Sequence, residues 1–264
     1  MTDTRPRRSL GQCFLIDQRV AQRIVALAQL DSTGRVVEIG PGRGILTRLL
    51  ARGAGELLAV EIDARWYDRL REEFADAPHV RVALGDAMVY PFESETAPFT
   101  VVANLPYYLS TPILFRLLAL RSRIIRMVLM LQREVVERMV AGPGTKAYGT
   151  LSLAVAYAAD ARKAFIVSPA AFTPRPAVES AVVVITPKAQ PAILVQDEAR
   201  LFRVIRAAFG HRRKVLANAL KDGGFPLDAV APALSEAAID PKRRGETLTL
   251  QEFGRLADAL GTRS

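Results

Sequence analysis

The sequence predicts a doubly wound α/β fold, with a parallel sheet and an antiparallel edge strand, followed by a small all-helical domain. Three observations support this prediction. Apolar, β-branched runs alternate with helix-like segments over most of the chain. The first run, Val36-Val37, breaks into three glycines at alternate positions and then continues as helix, which is typical of a strand, a tight turn and a helix. The C-terminal part keeps helical spacing and shows no strand pattern.

Apolar periodicity predicts the elements of the first domain. Near-continuous apolar runs, typical of buried parallel strands, cover 57–61, 80–84, 99–103 and 126–131. Amphipathic spacing predicts helices over 18–30, 64–74, 111–119 and 133–140. Alternation of this kind places helices on both faces of a parallel sheet.

Two further apolar runs, 164–167 and 181–185, predict the antiparallel part of the sheet. The loop between them is rich in proline and lacks helical spacing, and a connection without a helix favours an antiparallel pair. Beyond a short linker, helical spacing predicts helices over 198–209, 214–220, 228–234 and 250–260. We therefore predict a first domain over 1–188 and a helical domain over 189–264.

Composition narrows the classes of function. The 264 residues carry a formal net charge of +9, with a pI near 10.1, so we expect a polyanionic partner such as nucleic acid. One cysteine and two histidines argue against a disulfide framework and against a metal centre built on these residues. The basic, polar start lacks an apolar run, which predicts neither a signal peptide nor a membrane span. We expect a cytoplasmic protein.

The loop Glu38-Ile-Gly40-Pro-Gly42-Arg-Gly44 follows the short apolar pair Val36-Val37. Glycine suits a turn with unusual backbone angles, and a ligand can approach the main chain where no Cβ intervenes. A dinucleotide site requires G-x-G-x-x-G. This spacing differs and is similar to motif I of S-adenosylmethionine-dependent methyltransferases, E/D-x-G-x-G-x-G. A glycine turn that only packs is the alternative.

Polar residues end the next strands, and ligands of open α/β sheets bind at the carboxyl ends of the strands. Glu61 lies about twenty residues beyond the glycine loop, where an acid hydrogen-bonds ribose hydroxyls in nucleotide-binding folds. Asp86 is suited to accept from an exocyclic amine such as that of adenine, and the neighbouring Ala87 amide suits a ring nitrogen. A single acid at a strand end is more often a helix cap or turn residue, so the inference rests on the whole series.

Asn104-Leu105-Pro106-Tyr107 follows the fourth strand and is suited to hold an exocyclic amine. The amine of adenine is a poor nucleophile because its lone pair is delocalised into the ring, so it needs acceptors rather than a strong base. The Asn104 side-chain oxygen and the Leu105 carbonyl, held by Pro106, would accept its two hydrogens. Tyr107 would stack on the base, and catalysis would be mostly positioning. A plain proline turn is the alternative.

Further segments extend the similarity over nearly the whole chain. The tetrad resembles the D/N/S-P/L-P-Y/F/W motif of enzymes that methylate exocyclic amino nitrogens. Gly11-Gln-Cys13-Phe-Leu15 resembles a G-Q-N-F-L opening. The other matching segments are 104–112 (NLPYYLSTP), 131–135 (LQREV), 141–152 (AGPGTKAYGTLS), 171–181 (AFTPRPAVESA) and 211–214 (HRRK). Together they resemble the ribosomal RNA adenine dimethyltransferases of the KsgA type.

This resemblance implies a Rossmann-like S-adenosylmethionine methyltransferase domain and a helical domain that binds RNA or the ribosome. It implies S-adenosyl-L-methionine as methyl donor and direct displacement at carbon, without a metal or a covalent enzyme intermediate. The implied product is N6,N6-dimethyladenosine at two adjacent adenosines near the 3′ end of small-subunit (16S) rRNA, within an assembling 30S particle. We expect a monomer.

The resemblance also assigns individual residues. Cofactor contacts fall on Cys13, Leu15, Gly40, Glu61, Asp86 and Asn104. Position 13 is usually asparagine in the family, and cysteine is a weak hydrogen-bonding group, so a main-chain contact or a buried apolar role are alternatives to a side-chain contact. Phe172 corresponds to a second aromatic, which with Tyr107 would sandwich a flipped adenine. A core anchor is the alternative role for Phe172.

Basic residues are expected to meet RNA phosphates, although each one singly is also compatible with an ordinary solvated surface. They are Arg5, Arg7, Arg8, Arg203, Arg206, Arg212, Arg213, Lys214, Lys242, Arg243 and Arg244. Three other functions stay open. One is the related large-subunit rRNA methyltransferase of the macrolide-resistance type, and another is a ribosome-assembly factor that acts mainly by binding. A nicotinamide oxidoreductase is disfavoured by the glycine spacing and by the Asn-Leu-Pro-Tyr tetrad.

Overall fold

The structure is a computed structural model that describes residues 13–261 except 97, 212 and 213. Its strands are β1 (Phe14–Leu15), β2 (Arg35–Ile39), β3 (Glu56–Glu61), β4 (Val80–Leu84), β5 (Phe99–Asn104), β6 (Ile124–Gln132), β7 (Ala159–Val167), β8 (Phe172–Thr173) and β9 (Ser180–Pro187). Its helices are α1 (Gln18–Ala28), α2 (Thr47–Leu50), α3 (Ala64–Glu73), α4 (Ser110–Ala119), α5 (Arg133–Met139), α6 (Thr150–Ala158), α7 (Glu198–Gly210), α8 (Leu216–Asp222), α9 (Leu227–Glu236) and α10 (Leu250–Gly261).

Seven strands form one sheet in the order β4-β3-β2-β5-β6-β9-β7. The pairs β4·β3, β3·β2, β2·β5 and β5·β6 are parallel, and β9 pairs antiparallel with β6. The chain order reverses at β2, which is the switch point where ligands bind in such sheets. The doubly wound fold is thus confirmed. The antiparallel strand β9 lies one place in from the edge, and β7 forms the edge itself.

The central strands carry apolar residues on both faces because helices cover both. Five of the six residues of β5 are buried, and the exception is Asn104. Helix α1 begins at an N-cap, Asp17, whose carboxylate accepts from the amides of Arg19 and Val20. It ends where Gln29 takes a left-handed conformation, slightly before the predicted end at residue 30. Its buried residues pack into the core beside the sheet, and they are Ala21, Ile24 and Ala28.

A second, two-stranded sheet was not predicted. Strands β1 and β8 pair antiparallel, with Phe14 opposite Thr173 and Leu15 opposite Phe172. The amide of Ile16 also donates to the carbonyl of Ala171 at 2.8 Å. The pairing joins the segment before α1 to the proline-rich loop that precedes β9.

The described chain divides into two compact units. One contains the described residues up to 136 together with 160–189, and the other contains 137–159 together with the residues from 190 onward. The predicted division at 188/189 differs, because it left 137–159 in the first domain. Within the second unit, the Tyr148 hydroxyl donates to the Leu248 carbonyl at 2.8 Å, which ties this segment to the chain before α10. Within the described ranges, every helix is too short or too polar to span a bilayer.

Candidate active site

A cleft lies at the carboxyl ends of β2, β3, β4 and β5 and encloses about 1080 Å³ of space, part of it open to solvent. Parallel register brings these ends level, since Ile39 lies opposite both Val60 and Ala103. All thirteen residues proposed from the sequence line this one cleft. They are Cys13, Leu15, Glu38, Gly40, Gly42, Glu61, Asp86, Ala87, Asn104, Leu105, Pro106, Tyr107 and Phe172. The structure therefore brings together every predicted site residue.

Two glycines of the loop after β2 serve different purposes. Both have positive φ, 68° at Gly40 and 53° at Gly42, which disfavours other residues. A Cβ on Gly40 would meet no atom closer than the Asn104 carbonyl oxygen at 4.0 Å, so the glycine leaves open space in the cleft. A Cβ on Gly42 would lie 3.0 Å from the Phe14 ring, so this glycine makes room for packing.

Glu61 ends β3 and is 3% exposed. Its Oε2 accepts from the Gly42 amide at 2.8 Å, and its Oε1 accepts from the Asp63 amide at 2.9 Å. A carboxylate offers about four lone-pair positions, so about two remain for a ligand. Burial raises the pKa of Glu61, and the two amide donors act in the opposite direction. The side chain is therefore fixed in place and keeps acceptor capacity in the cleft.

Glu38 also lines the cleft and is 1% exposed. Among the described residues, its Oε2 finds no hydrogen-bond partner. Burial raises the pKa of Glu38 to about 8, so the carboxyl is largely protonated at neutral pH. A buried polar atom without a partner is uncommon in folded proteins, and a ligand group that donates a hydrogen bond to Oε2 would supply one.

Glu38→Gln tests this protonation state in the ligand-free protein. The pKa of Glu38 is about 8 when folded, against an ordinary 4.5. The folded state therefore binds more protons, and this side chain's contribution to stability is lost as pH rises from 4.5 to 8. The neutral amide lacks that dependence. Between pH 5.5 and 8.5 we expect the unfolding free energy of the wild type to fall by about 3 kcal/mol relative to the variant.

Denaturant titrations at the two pH values measure this difference. Glu72→Gln is the matched control, because Glu72 is an exposed acid on α3 and should show almost no such change. If the difference in unfolding free energy between the wild type and Glu38→Gln stays constant between the two pH values, Glu38 is ionised in the folded protein.

Asp86 and Ala87 form a turn after β4. The Asp86 Oδ1 accepts from the Met88 amide at 2.8 Å, as in an Asx turn, so the turn role predicted as an alternative is real. The Ala87 carbonyl accepts from Arg116 Nη1 at 2.5 Å, and Arg116 also donates to the Tyr90 carbonyl. Arg116 thereby ties this turn to helix α4. Its guanidinium lies 5.2 Å from the centre of the Phe92 ring.

Asn104, the last residue of β5, is oriented by the first described segment. Its Nδ2 donates to the Cys13 carbonyl at 3.2 Å, which leaves Oδ1 as the acceptor end of the amide. Cys13 thus contributes its main chain, and burial raises the pKa of its thiol, which keeps the thiol neutral. The Leu105 amide donates to the Met130 carbonyl at 3.2 Å, which anchors the tetrad to β6.

The two predicted aromatics differ in exposure. Tyr107 is half-buried, and its hydroxyl lies 2.8 Å from the Ser180 hydroxyl. Phe172 is 4% exposed and packs in the core cluster with Leu15 and Val182 while it also lines the cleft. The core role and the cleft position of Phe172 therefore coexist.

Several residues that line the cleft, or that hydrogen-bond to residues lining it, were not singled out from the sequence. Arg116 and Ser180 are examples, since an arginine in a helix and a serine at a strand start carry no sequence signal of their own. Arg43 is another, because its guanidinium lies 4.8 Å from the centre of the Phe14 ring in the cleft wall. The only sequence signal for Arg43 as a cleft residue was its place between two glycines of the loop.

The predicted basic residues are only partly described, because Arg5, Arg7, Arg8, Arg212 and Arg213 lie outside the described residues. In the second unit, Arg243 pairs with Glu252 and lowers the pKa of that acid to about 2. Lys214 pairs with Asp222 at 2.5 Å. These two cations are already neutralised by the protein. No group of three His, Cys, Asp or Glu side chains within the described part of the chain could hold a metal ion.

Comparison with known proteins shows the family of this chain. The ribosomal RNA adenine dimethylase family matches residues 4–260. The ribosomal RNA small subunit methyltransferase A of Geobacter sulfurreducens is 46% identical over 263 residues, which cover 97% of this chain and 95% of that protein. The crystal structure of a dimethyladenosine transferase from Plasmodium falciparum has a TM-score of 0.81 and 25% identity, and covers 92% of this chain and 95% of that one.

A third protein shares the fold. The 23S rRNA methyltransferase ErmE has a TM-score of 0.73 at 24% identity, and the match covers 94% of this chain and 99% of that one. The family match spans almost the whole sequence and the structural neighbours cover both units, so the similarity is not confined to the sheet. This chain belongs to the ribosomal RNA adenine dimethylase family.

Proposed function

We propose that this protein transfers methyl groups from S-adenosyl-L-methionine to the exocyclic N6 of two adjacent adenosines near the 3′ end of small-subunit (16S) rRNA. The product is N6,N6-dimethyladenosine, made in the cytoplasm by a monomer acting on an assembling 30S particle. The observation that carries the proposal is the Asn104 amide, fixed by the Cys13 carbonyl with its oxygen left as acceptor, in a cleft that gathers all thirteen predicted residues. The small-subunit name of the Geobacter sulfurreducens relative supports the choice of rRNA.

The cleft fits the methyl donor. Gly40 leaves open space beside the main chain, and Glu61 keeps about two acceptor positions for a ribose diol. Asp86 and Ala87 supply a carboxylate and a main-chain turn for an adenine edge. The buried Oε2 of Glu38, which has no hydrogen-bond partner among the described residues, suits a polar ligand group. When bound, S-adenosylmethionine supplies an electrophilic methyl group.

The chain's own residues position the acceptor nitrogen. The Asn104 Oδ1 and the Leu105 carbonyl would accept the two amine hydrogens, which fixes the nitrogen and directs its lone pair. No strong base is required, because the nitrogen loses a proton readily once it has become cationic. The rate gain of such a site comes from orientation held by a rigid scaffold. Here the scaffold is the sheet, through β5 and the contact with β6.

An adenine reaches the cleft only after it leaves its stack. Tyr107 has a half-buried ring close to Asn104 in sequence. Phe172, which lies much later in the chain, lines the same cleft. We propose that these rings contact the two faces of the flipped base. Arg203, Arg206 and Arg244 belong to the second unit and are proposed to meet RNA phosphates.

Deletion of the gene tests the proposal in the cell. We expect N6,N6-dimethyladenosine to disappear from small-subunit rRNA, and its undiminished presence would contradict the proposal. Complementation then separates catalysis from binding. A gene carrying Glu61→Ala or Asn104→Ala that restores subunit assembly without restoring the modified nucleoside would show an assembly role independent of methylation. Loss of a modification from large-subunit rRNA instead would favour the macrolide-resistance type.

A further inference from the structure

Tyr107 is held at both ends by serine hydroxyls. The Ser110 Oγ donates to the Tyr107 carbonyl at 2.8 Å, which fixes the main chain. The Ser180 Oγ lies 2.8 Å from the Tyr107 hydroxyl at the far end of the ring. Both serines are almost fully buried, with exposures of 1% for Ser110 and 0% for Ser180. The residue is therefore anchored at its main-chain carbonyl and at the hydroxyl end of its ring.

Ser180 is a rigid support. It is the first residue of β9 and lies opposite Gln132, the last residue of β6, in the antiparallel ladder. The adjacent Glu179 carbonyl accepts from the Arg133 amide at 2.9 Å, which continues the ladder by one further bond. A hydroxyl in such a place moves little, and it directs the phenol with a neutral hydrogen bond. Burial raises the pKa of Tyr107, so the phenol remains a neutral partner.

We propose that Ser180 is a positioning residue that holds the Tyr107 ring in place, through its hydroxyl, for stacking on the target adenine. The proposal rests on the function proposed above and deepens it, because it gives the antiparallel strand a part in substrate recognition. Stacking depends on ring orientation, and a ring free to tilt holds the base less well. None of the hydrogen bonds described above joins Ser180 to a residue proposed to bind the cofactor. The affinity for the cofactor should therefore not depend on Ser180.

A double-mutant cycle tests the proposal. Ser180→Ala and Tyr107→Phe each remove one hydroxyl of the pair, and both keep the aromatic ring. We expect each to lower kcat/KM for undimethylated small ribosomal subunits by about tenfold, with affinity for S-adenosylhomocysteine unchanged. The double variant should be no worse than either single variant, because the two hydroxyls act as one unit. Ser180→Thr, which keeps the hydroxyl, should restore most of the activity. Ser235→Ala is the control, since Ser235 is exposed on α9.

Other results would overturn the proposal. Additive effects of the two substitutions, or an unchanged kcat/KM in Ser180→Ala, would show that the hydroxyl pair does not direct the ring. A loss of S-adenosylhomocysteine affinity together with a lower melting temperature would indicate a purely structural role. Binding of undimethylated small subunits to the S-adenosylhomocysteine-loaded protein gives a readout without turnover. If the wild type binds small subunits but does not methylate them, the proposed function is wrong. Weaker binding by Ser180→Ala would then still support a positioning role for Ser180, and equal binding would contradict it.

Discussion

Asn104→Ala should lower kcat for methyl transfer by about 10²–10³-fold and change the affinity for S-adenosylhomocysteine by less than about tenfold. The substitution removes the side-chain acceptor that would hold the amine, and the Cys13 carbonyl loses its partner. The sheet and the Glu61 contacts stay in place, so the cofactor site survives. Single-turnover methylation of undimethylated small subunits, with a separate calorimetric titration of S-adenosylhomocysteine, measures the two effects.

Asn218→Ala is the matched control, because Asn218 is an exposed asparagine on α8 and belongs to the second unit. It should leave both measurements unchanged. A kcat for Asn104→Ala within about threefold of the wild-type value would mean that the amide does not act at the rate-limiting step, and the proposed role of the tetrad would be wrong.

Glu61→Ala should weaken S-adenosylhomocysteine binding by at least about 100-fold. Hydrogen bonds to a charged group contribute about 1.5–3 kcal/mol each, and the substitution removes the acceptors proposed for the ribose. It also leaves the amides of Gly42 and Asp63 without their partner. Isothermal titration measures the affinity. Glu72→Ala, an exposed acid on α3, is the control and should bind as the wild type does.

The pH dependence of cofactor binding separates an acceptor role from a purely structural one. Burial raises the pKa of Glu61, and only the ionised form keeps all its acceptor positions. Wild-type affinity should therefore fall as pH falls through that raised pKa, whereas Glu61→Gln should show a flatter profile. Equal pH profiles for the two proteins, or a near-wild-type affinity in Glu61→Ala, would contradict ribose recognition by this residue.

The site was predictable because topology places it. Glu61, Asp86 and Asn104 each follow an apolar run, and parallel pairing brings the ends of such runs to one edge. The strand ends in the sequence therefore indicated that these three distant side chains meet, and the family resemblance added the roles and the remaining residues. The roles of individual residues within the cleft were harder to predict. Cys13 is an example, because it orients Asn104 through its main-chain carbonyl, and a main-chain contact does not depend on the residue type.

The parts that escaped prediction depend on long-range contacts or lack periodicity. Strands β1 and β8 contain two residues each, too few for an alternating pattern. They form by pairing with each other, with Leu15 opposite Phe172, and that contact is distant in sequence. Helix α6 is buried on nearly every side, so its sequence shows no amphipathic stripe. Its membership of the second unit depends on contacts such as the bond from Tyr157 to Glu198. Ser180 acquires its place only when β9 pairs with β6.

The most direct measurement uses purified protein and labelled S-adenosylmethionine, incubated separately with undimethylated small subunits, mature large subunits and naked ribosomal RNA. The labelled nucleoside is then identified by mass spectrometry, with Asn104→Ala run in parallel. We expect N6,N6-dimethyladenosine in the small subunits, at two adjacent positions near the 3′ end of the rRNA, and almost no label with the variant. Label confined to large subunits, or equal labelling by Asn104→Ala, would contradict the proposed substrate or the proposed site.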